Sequence, residues 1–209
     1  MGITAGIAKI SDNWLVRNIA LIYVEIFRNT PLLLQLLFWY SAVFLSFPNV
    51  NNRIFLAGLI YLSQDGLEII GFKFSSEFAA LLIGLVFYTG SFIAEIVRAG
   101  IQSVSKGQWE AARSLGLKPG SIMRLVIFPQ ALRVIIPPLT SQYLNLTKNS
   151  SLAIAIGYPD IYFVASTTFN QTGKAVEVML LIMLTYLTFS LTISLVMNLL
   201  NRAVQIKER

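Results

Sequence analysis

The sequence of 209 residues contains no cysteine and no histidine. Without cysteine the chain forms no disulfide and offers no thiolate to a metal. Without histidine it lacks the commonest general base and metal ligand. Charge is also scarce, because only 12% of the residues are charged, about half the share of an average soluble domain. These absences argue against a metal site, against acid–base catalysis and against a soluble domain.

Other common features are missing as well. The sequence has no G-x-x-x-x-G-K-[ST] phosphate loop, so the chain itself is predicted not to hydrolyse ATP. It shows no internal repeat and no polar second domain, and its length fits one domain, residues 1–209. Residues 1–8 are apolar but short and lack a basic start, so no secretory signal is expected.

Apolar residues, in contrast, make up 56% of the chain and lie in long uncharged runs. About 20 such residues are enough to cross the hydrocarbon core of a membrane. Full spans are therefore predicted at residues 30–48, 77–97, 134–157 and 177–201. The predicted fold class is all-α, a polytopic bundle of four transmembrane helices.

Shorter segments flank the predicted spans. Residues 1–8 look like the stub of a helix. Residues 11–28 form an amphipathic segment that fits two alternatives equally, an interfacial elbow or the charged lower turns of the next span. The uncharged run at 54–64 has only 11 residues, so it is predicted to be interfacial or re-entrant. Asp65-Gly66 is predicted to be a turn.

The 16 basic residues divide unequally between the two sides that four spans define. Three of them lie on one side and one, Lys148, lies within a span. The other twelve lie on the opposite side: Lys9, Arg17, Arg28, Arg98, Lys106, Arg113, Lys118, Arg124, Arg133, Arg202, Lys207 and Arg209. Because basic residues accumulate in cytoplasmic loops, residues 99–133 and the C-terminus are predicted to be cytoplasmic.

The net charge of +6 allows either nucleic acid or an anionic membrane surface as a partner. The charges flank apolar spans, which favours membrane lipid. No nucleic-acid partner is therefore expected.

The longest polar segment between apolar ones is residues 107–130. Ser105 and Gln108 have the spacing of a capping box, so a short helix is predicted to begin there and to stop at Gly116. A turn at 118–120 and a cap at Ser121 predict a second short helix that ends before Pro129. From the residues alone this is a helix–turn–helix on a loop at the membrane surface.

The spacing within this segment resembles a known motif. Glu110-Ala111-Ala112, Gly116 and the run 126–129 that ends in Pro129 match the E-A-A, three residues, G, nine residues, I-x-L-P pattern. The pattern is that of the EAA loop of binding-protein-dependent ABC importer permeases. The stretches at 25–35 and 94–104 resemble the polar amino-acid branch of that family. Phe38-Trp39-Tyr40 is most similar to the neutral or general L-amino-acid permeases.

This resemblance implies a fold, a function and an assembly. The fold would be that of a type I ABC importer permease, with the family's first helix missing or only a stub. The chain would be one half of an amino-acid translocation pathway in the bacterial inner membrane. Residues 99–133 would form the coupling loop that docks on a separate ATPase, and that ATPase would bind ATP and Mg, so that no cofactor is bound by this chain. Further partners would be a second permease subunit and a periplasmic substrate-binding protein.

Two polar groups inside the predicted spans are candidate functional residues. Glu95 and Arg98 lie three residues apart on one helical face and are predicted to pair at the membrane edge. The tetrad of Lys148, Asn149, Ser150 and Ser151 lies in mid-span, where polar side chains are costly unless they line a cavity or another helix. It also resembles the family's Lys-Asn/Asp-Ser/Thr-Ser-Leu stretch. The tetrad therefore either binds the amino acid, with backbone groups freed by a break in the span, or joins spans to one another.

Two rival functions use the same apolar bundle. A membrane-embedded enzyme would need facing ionisable groups, and only Glu95 and Lys148 are candidates for that role. An ATP-independent channel or a structural subunit of a membrane complex would need no coupling loop. The E-A-A spacing therefore favours the importer.

Overall fold

The computed structural model describes residues 1–57 and 60–205. The chain divides into two compact units. The first unit contains Met1–Arg28, Thr89–Asn145 and Thr188–Arg209, and the second contains Asn29–Tyr88 and Leu146–Leu187. Lys207 and Arg209, which were predicted to be cytoplasmic, lie outside the described residues.

Helices form most of the described chain. In order, they are α1 (Gly2–Ala8), α2 (Trp14–Asn29), α3 (Leu32–Leu37), α4 (Ser76–Gln102), α5 (Lys106–Ser114), α6 (Pro119–Ile122), α7 (Phe128–Asn149), α8 (Ile161–Thr172) and α9 (Ala175–Val204). A π-helical turn at Phe38–Val43 and a 3₁₀ turn at Phe44–Ser46 prolong α3. A second π-helical turn, Met123–Ile127, joins α6 to α7, and the 3₁₀ segment Ser150–Ile156 follows α7.

Three continuous helical segments in the described chain are long and apolar enough to cross a membrane: Ser76–Gln102, Pro119–Ile156 and Ala175–Val204. A fourth candidate is the pair Trp14–Asn29 and Leu32–Ser46, which is bent by 106°. Both alternatives for residues 11–28, an interfacial elbow and the lower turns of the next span, stay predictions. Pro31 lies at the break, where its missing N–H costs no helical bond.

Gln35 supports the bend from within the second unit. Its side chain is 7% exposed, and its Nε2 donates to the Thr30 carbonyl at 3.1 Å and to Thr30 Oγ1 at 2.7 Å. A helix break leaves carbonyls without intrahelical donors, and this amide supplies one.

The all-α prediction is wrong for the described residues of 54–75. This segment forms a four-stranded antiparallel sheet in the order β1 (Ile54–Ala57), β2 (Ile60–Ser63), β3 (Gly66–Ile69) and β4 (Phe72–Ser75). Strands β1 and β2 lie within the run at 54–64, for which the prediction of an interfacial or re-entrant segment stays a prediction. Strands of four residues with β-branched and aromatic side chains pair well across tight turns. The turn that joins β2 to β3 is Gln64-Asp65, one residue before the predicted Asp65-Gly66, because Gly66 already belongs to β3 and pairs with Ser63.

The sheet has an apolar face and a polar one. Ile54, Leu62, Leu67 and Phe74 share one face in register, and Leu62 and Leu67 pack on the core of the second unit. Tyr61, Glu68 and Lys73 share the other face. There Arg53 pairs with Glu68 at 2.6 Å and lies 4.1 Å from the centre of the Tyr61 ring.

The helix after the polar loop is longer than predicted. It does not end before Pro129 but runs from Pro119 to Ile156, with Pro137 and Pro138 inside α7. The π-helical turn explains how Pro129 is accommodated, because wider i→i+5 bonding relieves the clash that proline makes in a regular helix. The predicted span at 134–157 is the second part of this helix.

Each unit has its own apolar core. In the first unit the core joins the end of α4 to the segment 112–135 through Val97, Ile101, Ala112, Ile122, Ile127, Ala131 and Ile135. In the second unit it joins α3, the start of α4 and the 3₁₀ segment after α7 through Leu36, Phe44, Ala80 and Ala153. The residues expected to form a coupling loop are thus part of a packed core.

Helix α1, the predicted stub, packs on α4. A Cβ atom built at Gly2 would lie 2.7 Å from the Ile93 side chain, and one at Gly6 would lie 2.7 Å from the Ala94 carbonyl oxygen. The Gly2-x-x-x-Gly6 spacing therefore allows the close helix–helix contact that small residues make in membranes.

Candidate coupling and substrate sites

Helix α5 carries the Glu110-Ala111-Ala112 triplet on a helix that begins after Ser105, as predicted. The capping box does not form, because no side-chain bond caps this terminus. Gln108 is instead bonded to Gln130, whose Nε2 donates to Gln108 Oε1 at 3.1 Å. A partner 22 residues away in α7 thus takes the place of the local one.

The triplet has one buried and two exposed members. Ala112 is 3% exposed and belongs to the core of the first unit, whereas Glu110 and Ala111 are exposed. A small side chain at position 112 lets α5 approach its neighbours closely. The carboxylate of Glu110 is consequently displayed on a helix that is fixed to the base of the membrane segments.

Gly116 ends α5 with φ +72°. The Gly116 amide donates to the Arg113 carbonyl at 2.9 Å, and the Leu117 amide donates to the Ala112 carbonyl at 3.3 Å. These two bonds form a Schellman motif, which needs a left-handed residue at this position. No atom lies within 4 Å of a Cβ built on Gly116, so close packing is not the reason for glycine at this position. The motif leaves Leu115 79% exposed beside the triplet.

Pro129 closes the matching pattern but is exposed within the long helix and does not end it. Ile127, at the unspecified position of I-x-L-P, is fully buried. The segment 126–129 thus holds one apolar anchor and one proline at the irregular start of α7.

Glu95 and Arg98 lie in contact, with Arg98 Nη2 2.7 Å from Glu95 Oε2. The sequence interpretation missed a third member, Lys9, whose ammonium contacts Glu95 Oε1. The Lys9 side chain is only 4% exposed and that of Glu95 only 16%. Two cations therefore share one partly buried carboxylate, and the Lys9–Glu95 contact joins the end of α1 to α4.

The polar tetrad lies at the junction of α7 with the 3₁₀ segment. Lys148 is exposed and Asn149 is half-buried. The Ser150 hydroxyl donates to the Thr147 carbonyl at 2.9 Å, and the Ser151 hydroxyl donates to the Lys148 carbonyl at 2.7 Å. The predicted break is thus a change from α to 3₁₀ geometry near the end of the helix, not an unwound segment in its middle.

Two further polar groups, Asp160 and Tyr186, join this region in the second unit. The Tyr186 hydroxyl donates to Asp160 Oδ2 at 3.1 Å, and Tyr186 also interacts with the Ser150 and Ser151 side chains. Asp160 borders a cavity of about 370 Å³ between α8 and α9 that is otherwise mostly apolar. A carboxylate and three hydroxyls are therefore brought together beside the tetrad.

The chain was compared with known proteins. A family model described as "Binding-protein-dependent transport system inner membrane component" matches residues 1–206. The chain belongs to this family. The resemblance drawn from the E-A-A spacing is confirmed, and the family is one of membrane transport components rather than enzymes.

Individual relatives and a solved structure agree with this membership. The chain is 41% identical to the putative amino-acid ABC transporter permease protein YhdX of Escherichia coli K12, over 100% of this chain and 74% of that protein. It is 38% identical to the general L-amino acid transport system permease protein AapQ of Rhizobium johnstonii, over 100% and 72%. A crystal structure of an amino acid ABC transporter with histidines has a TM-score of 0.74 and 31% identity, over 97% of this chain and 83% of that one.

Some of these groups had signals in the sequence and some had none. The helical spacing of Glu95 and Arg98 indicated their contact, but Lys9 is 86 residues from Glu95 and belongs to another helix. Asp160 was missed, because it lies outside the predicted spans and in none of the recognised motifs.

Proposed function

We propose that this chain is the transmembrane permease subunit of an ATP-driven importer for amino acids. The observation that carries the proposal is the placement of the E-A-A triplet on α5, exposed along Glu110 and Ala111 and anchored through Ala112. The names of YhdX and AapQ, both amino-acid permeases, support the substrate class. Residues 1–209 form one permease domain with the coupling loop at 99–133.

The mechanism is alternating access driven from the coupling loop. A separate ATPase binds ATP and Mg, and α5 docks on it through Glu110, Ala111 and the exposed Leu115. Gly116 fixes the turn that exposes this surface, and Pro129 marks the start of the helix that carries the motion into the membrane. Because α5 shares a core with α4 and with the base of α7, its displacement moves both.

The chain supplies one half of the translocation pathway, and a second permease subunit completes it around a two-fold axis. A periplasmic substrate-binding protein delivers the amino acid, membrane lipid surrounds the helices and no nucleic acid takes part. We place the protein in the bacterial inner membrane with four crossings, the bent pair being one of them. The coupling loop and the C-terminus are then cytoplasmic, as the basic residues require.

The substrate site lies at the tetrad. An amino acid carries a carboxylate and an ammonium group, so its site needs donors and acceptors together. Lys148 and the Asn149 amide supply donors, and the hydroxyls of Ser150 and Ser151 act as further polar contacts. Asp160, oriented by Tyr186, is the acceptor that the tetrad lacks.

Reconstitution tests the function as a whole. The permease, its ATPase and its binding protein are placed in lipid vesicles, and uptake of radiolabelled amino acids is measured with ATP and with a non-hydrolysable analogue. We expect uptake only with ATP and binding protein. Equal uptake without ATP would instead support the channel alternative and would refute the importer.

Replacement of the two serines tests the substrate site. Ser150→Ala with Ser151→Ala is expected to weaken substrate affinity about tenfold, since two polar contacts of about 0.5–1.5 kcal/mol each are lost. Assembly with the ATPase should not change. Thr167→Ala on α8, which removes a similar hydroxyl-to-carbonyl bond, is the matched control. Unchanged affinity in the double variant would place the site in the partner subunit or elsewhere.

A further inference from the structure

A pair of glutamines joins α5 to the start of α7. Gln130 is half-buried, and its Nε2 donates both to Gln108 Oε1 at 3.1 Å and to the Val126 carbonyl at 2.9 Å. Gln108 lies exposed on the first turn of α5. One amide group therefore contacts the helix that carries the E-A-A triplet and the backbone of the membrane helix at the same time.

The second contact fixes the direction of the first. Oxygen and nitrogen of a side-chain amide are assigned from the surrounding hydrogen bonds. A backbone carbonyl accepts only, so the Gln130 atom beside Val126 must be the nitrogen. Gln108 must then present its oxygen to Gln130. The pair is thus a directed bond with Gln130 as donor and Gln108 as acceptor.

The backbone at this point is irregular. Met123–Ile127 is a π-helical turn, and Pro129 has no N–H to donate to the preceding turn. Helices bend or swivel at such places. The Gln130 amide ties α5 to this turn and not to a regular part of α7.

Apolar contacts in the same block act differently. Ala112, Ile122 and Ile127 hold α5 against its neighbours, but the hydrophobic effect is non-directional and roughly proportional to buried area. These contacts therefore carry a displacement of α5 but define its exact register less sharply. A hydrogen bond depends steeply on distance and angle, so it fixes the register of α5 on α7.

We propose that Gln130, through Gln108, is a positioning residue for coupling: the bond holds α5 in register with the base of α7, so that a displacement of α5 reaches the membrane helices. This inference rests on the proposed function. Loss of the bond should leave the complex assembled and the ATPase active, while less amino acid is moved for each ATP hydrolysed.

The experiment uses the complete complex in proteoliposomes. Gln108→Met and Gln130→Met keep the side-chain volume and remove the polar ends. ATP hydrolysis stimulated by loaded binding protein and amino-acid uptake are measured on the same sample. We expect hydrolysis to stay within about twofold of the wild type and uptake per ATP to fall about fivefold in each variant, the factor that corresponds to one hydrogen bond of about 1 kcal/mol. Gln171→Met, exposed on α8, is the matched control and should leave uptake per ATP unchanged.

A double variant and two separate glutamate substitutions make the test specific. Because both single variants remove the same bond, Gln108→Met with Gln130→Met should cost no more than either alone. Gln108→Glu keeps an acceptor and should retain coupling. Gln130→Glu loses the donor, sets an acceptor against the Val126 carbonyl and should uncouple. If Gln130→Met does not assemble, the Gln108 variants still decide, since Gln108 is exposed.

Three outcomes would overturn the proposal: unchanged uptake per ATP in both single variants, additive losses in the double variant, or equal effects of the two glutamate substitutions. A failure of the proposed function looks different. In that case the wild-type complex itself shows no ATP-dependent uptake, whatever stands at positions 108 and 130.

Discussion

At the scale of single residues, Gly116 is required by its backbone conformation and not by its surroundings. Its φ of +72° is one that side chains with a Cβ rarely adopt, and the space around it is open. Gly116→Ala should therefore cost about 1–2 kcal/mol at the end of α5. Gly116→Asp adds a negative charge at a helix C-terminus, which the helix dipole disfavours. We expect both variants to insert in the membrane but to bind the ATPase weakly.

The measurement is the yield of ATPase that co-purifies with the permease. Gly120→Ala is the matched control. Gly120 also has open space around it, but it lies in the helix α6 and does not have a positive φ. A Gly116→Asp variant with wild-type ATP-driven uptake would contradict the coupling assignment.

The contact between Lys9 and Glu95 is a second feature at the scale of single residues. Removing one partner of a buried pair leaves an uncompensated charge, at a cost of about 3–5 kcal/mol. Glu95→Gln should therefore strongly destabilise the first unit, because Lys9 is almost fully buried. Lys9→Met should cost less, because Arg98 still pairs with Glu95. The double variant should recover part of the loss.

Thermal unfolding of the purified complex in detergent measures these effects. The control is Glu68→Gln, which breaks the more exposed pair with Arg53. Surface pairs contribute about 0–1 kcal/mol, so its effect should be small. Equal shifts for the substitutions at positions 68 and 95 would show that burial of the Lys9–Glu95 contact does not matter.

At the scale of elements, the turn between β3 and β4 has an unusual residue. Ile70 has φ +51° and is 67% exposed, and Gly71 follows with φ +84°. A two-residue turn with both φ values positive is of type I′, for which Asn-Gly is strongly preferred. Ile70→Asn is expected to stabilise the hairpin by about 1 kcal/mol, since asparagine tolerates this conformation better than a β-branched residue.

Hydrogen–deuterium exchange of β3 and β4 measures that change locally. Protection of their amides should rise in Ile70→Asn. Ile54→Asn, a similar loss of an exposed apolar side chain without a positive φ, should not raise it. Lower protection in the Ile70 variant would mean that the apolar side chain itself holds the turn.

The sequence predicts best the helices that the length of an uncharged run identifies. Long uncharged runs correspond to α4 and α9, and residues typical of helix ends lie at both ends of α5. The sheet was missed because a short apolar run has no distinctive period, and Ile70-Gly71 does not resemble a preferred hairpin turn. Pro129 was read as a helix end because its cost in a regular helix is large, and the π-helical turn that removes this cost has no simple sequence signal. The family motif located the coupling residues, but the bond between Gln108 and Gln130 depends on tertiary contact.

At the scale of the whole molecule, the number of membrane crossings remains a prediction with a direct test. Position 118 precedes the helix Pro119–Ile156, and position 174 precedes α9. Between these positions only the long helix is long enough to cross, because α8 has 12 residues and a crossing takes about 20. Cysteines at 118 and 174 should therefore lie on opposite sides, with 118 cytoplasmic.

A membrane-impermeant maleimide measures this directly, since these 209 residues contain no cysteine. In intact spheroplasts Lys174→Cys and Lys73→Cys should label, whereas Lys118→Cys and Asp12→Cys should label only after the membrane is broken. The Asp12 site decides between three crossings and four, because it is cytoplasmic only if the bent pair of α2 and α3 crosses once in total. Labelling of Asp12→Cys from outside would leave three crossings. Labelling of Lys118→Cys from outside would overturn the orientation and place α5 beyond the reach of a cytoplasmic ATPase.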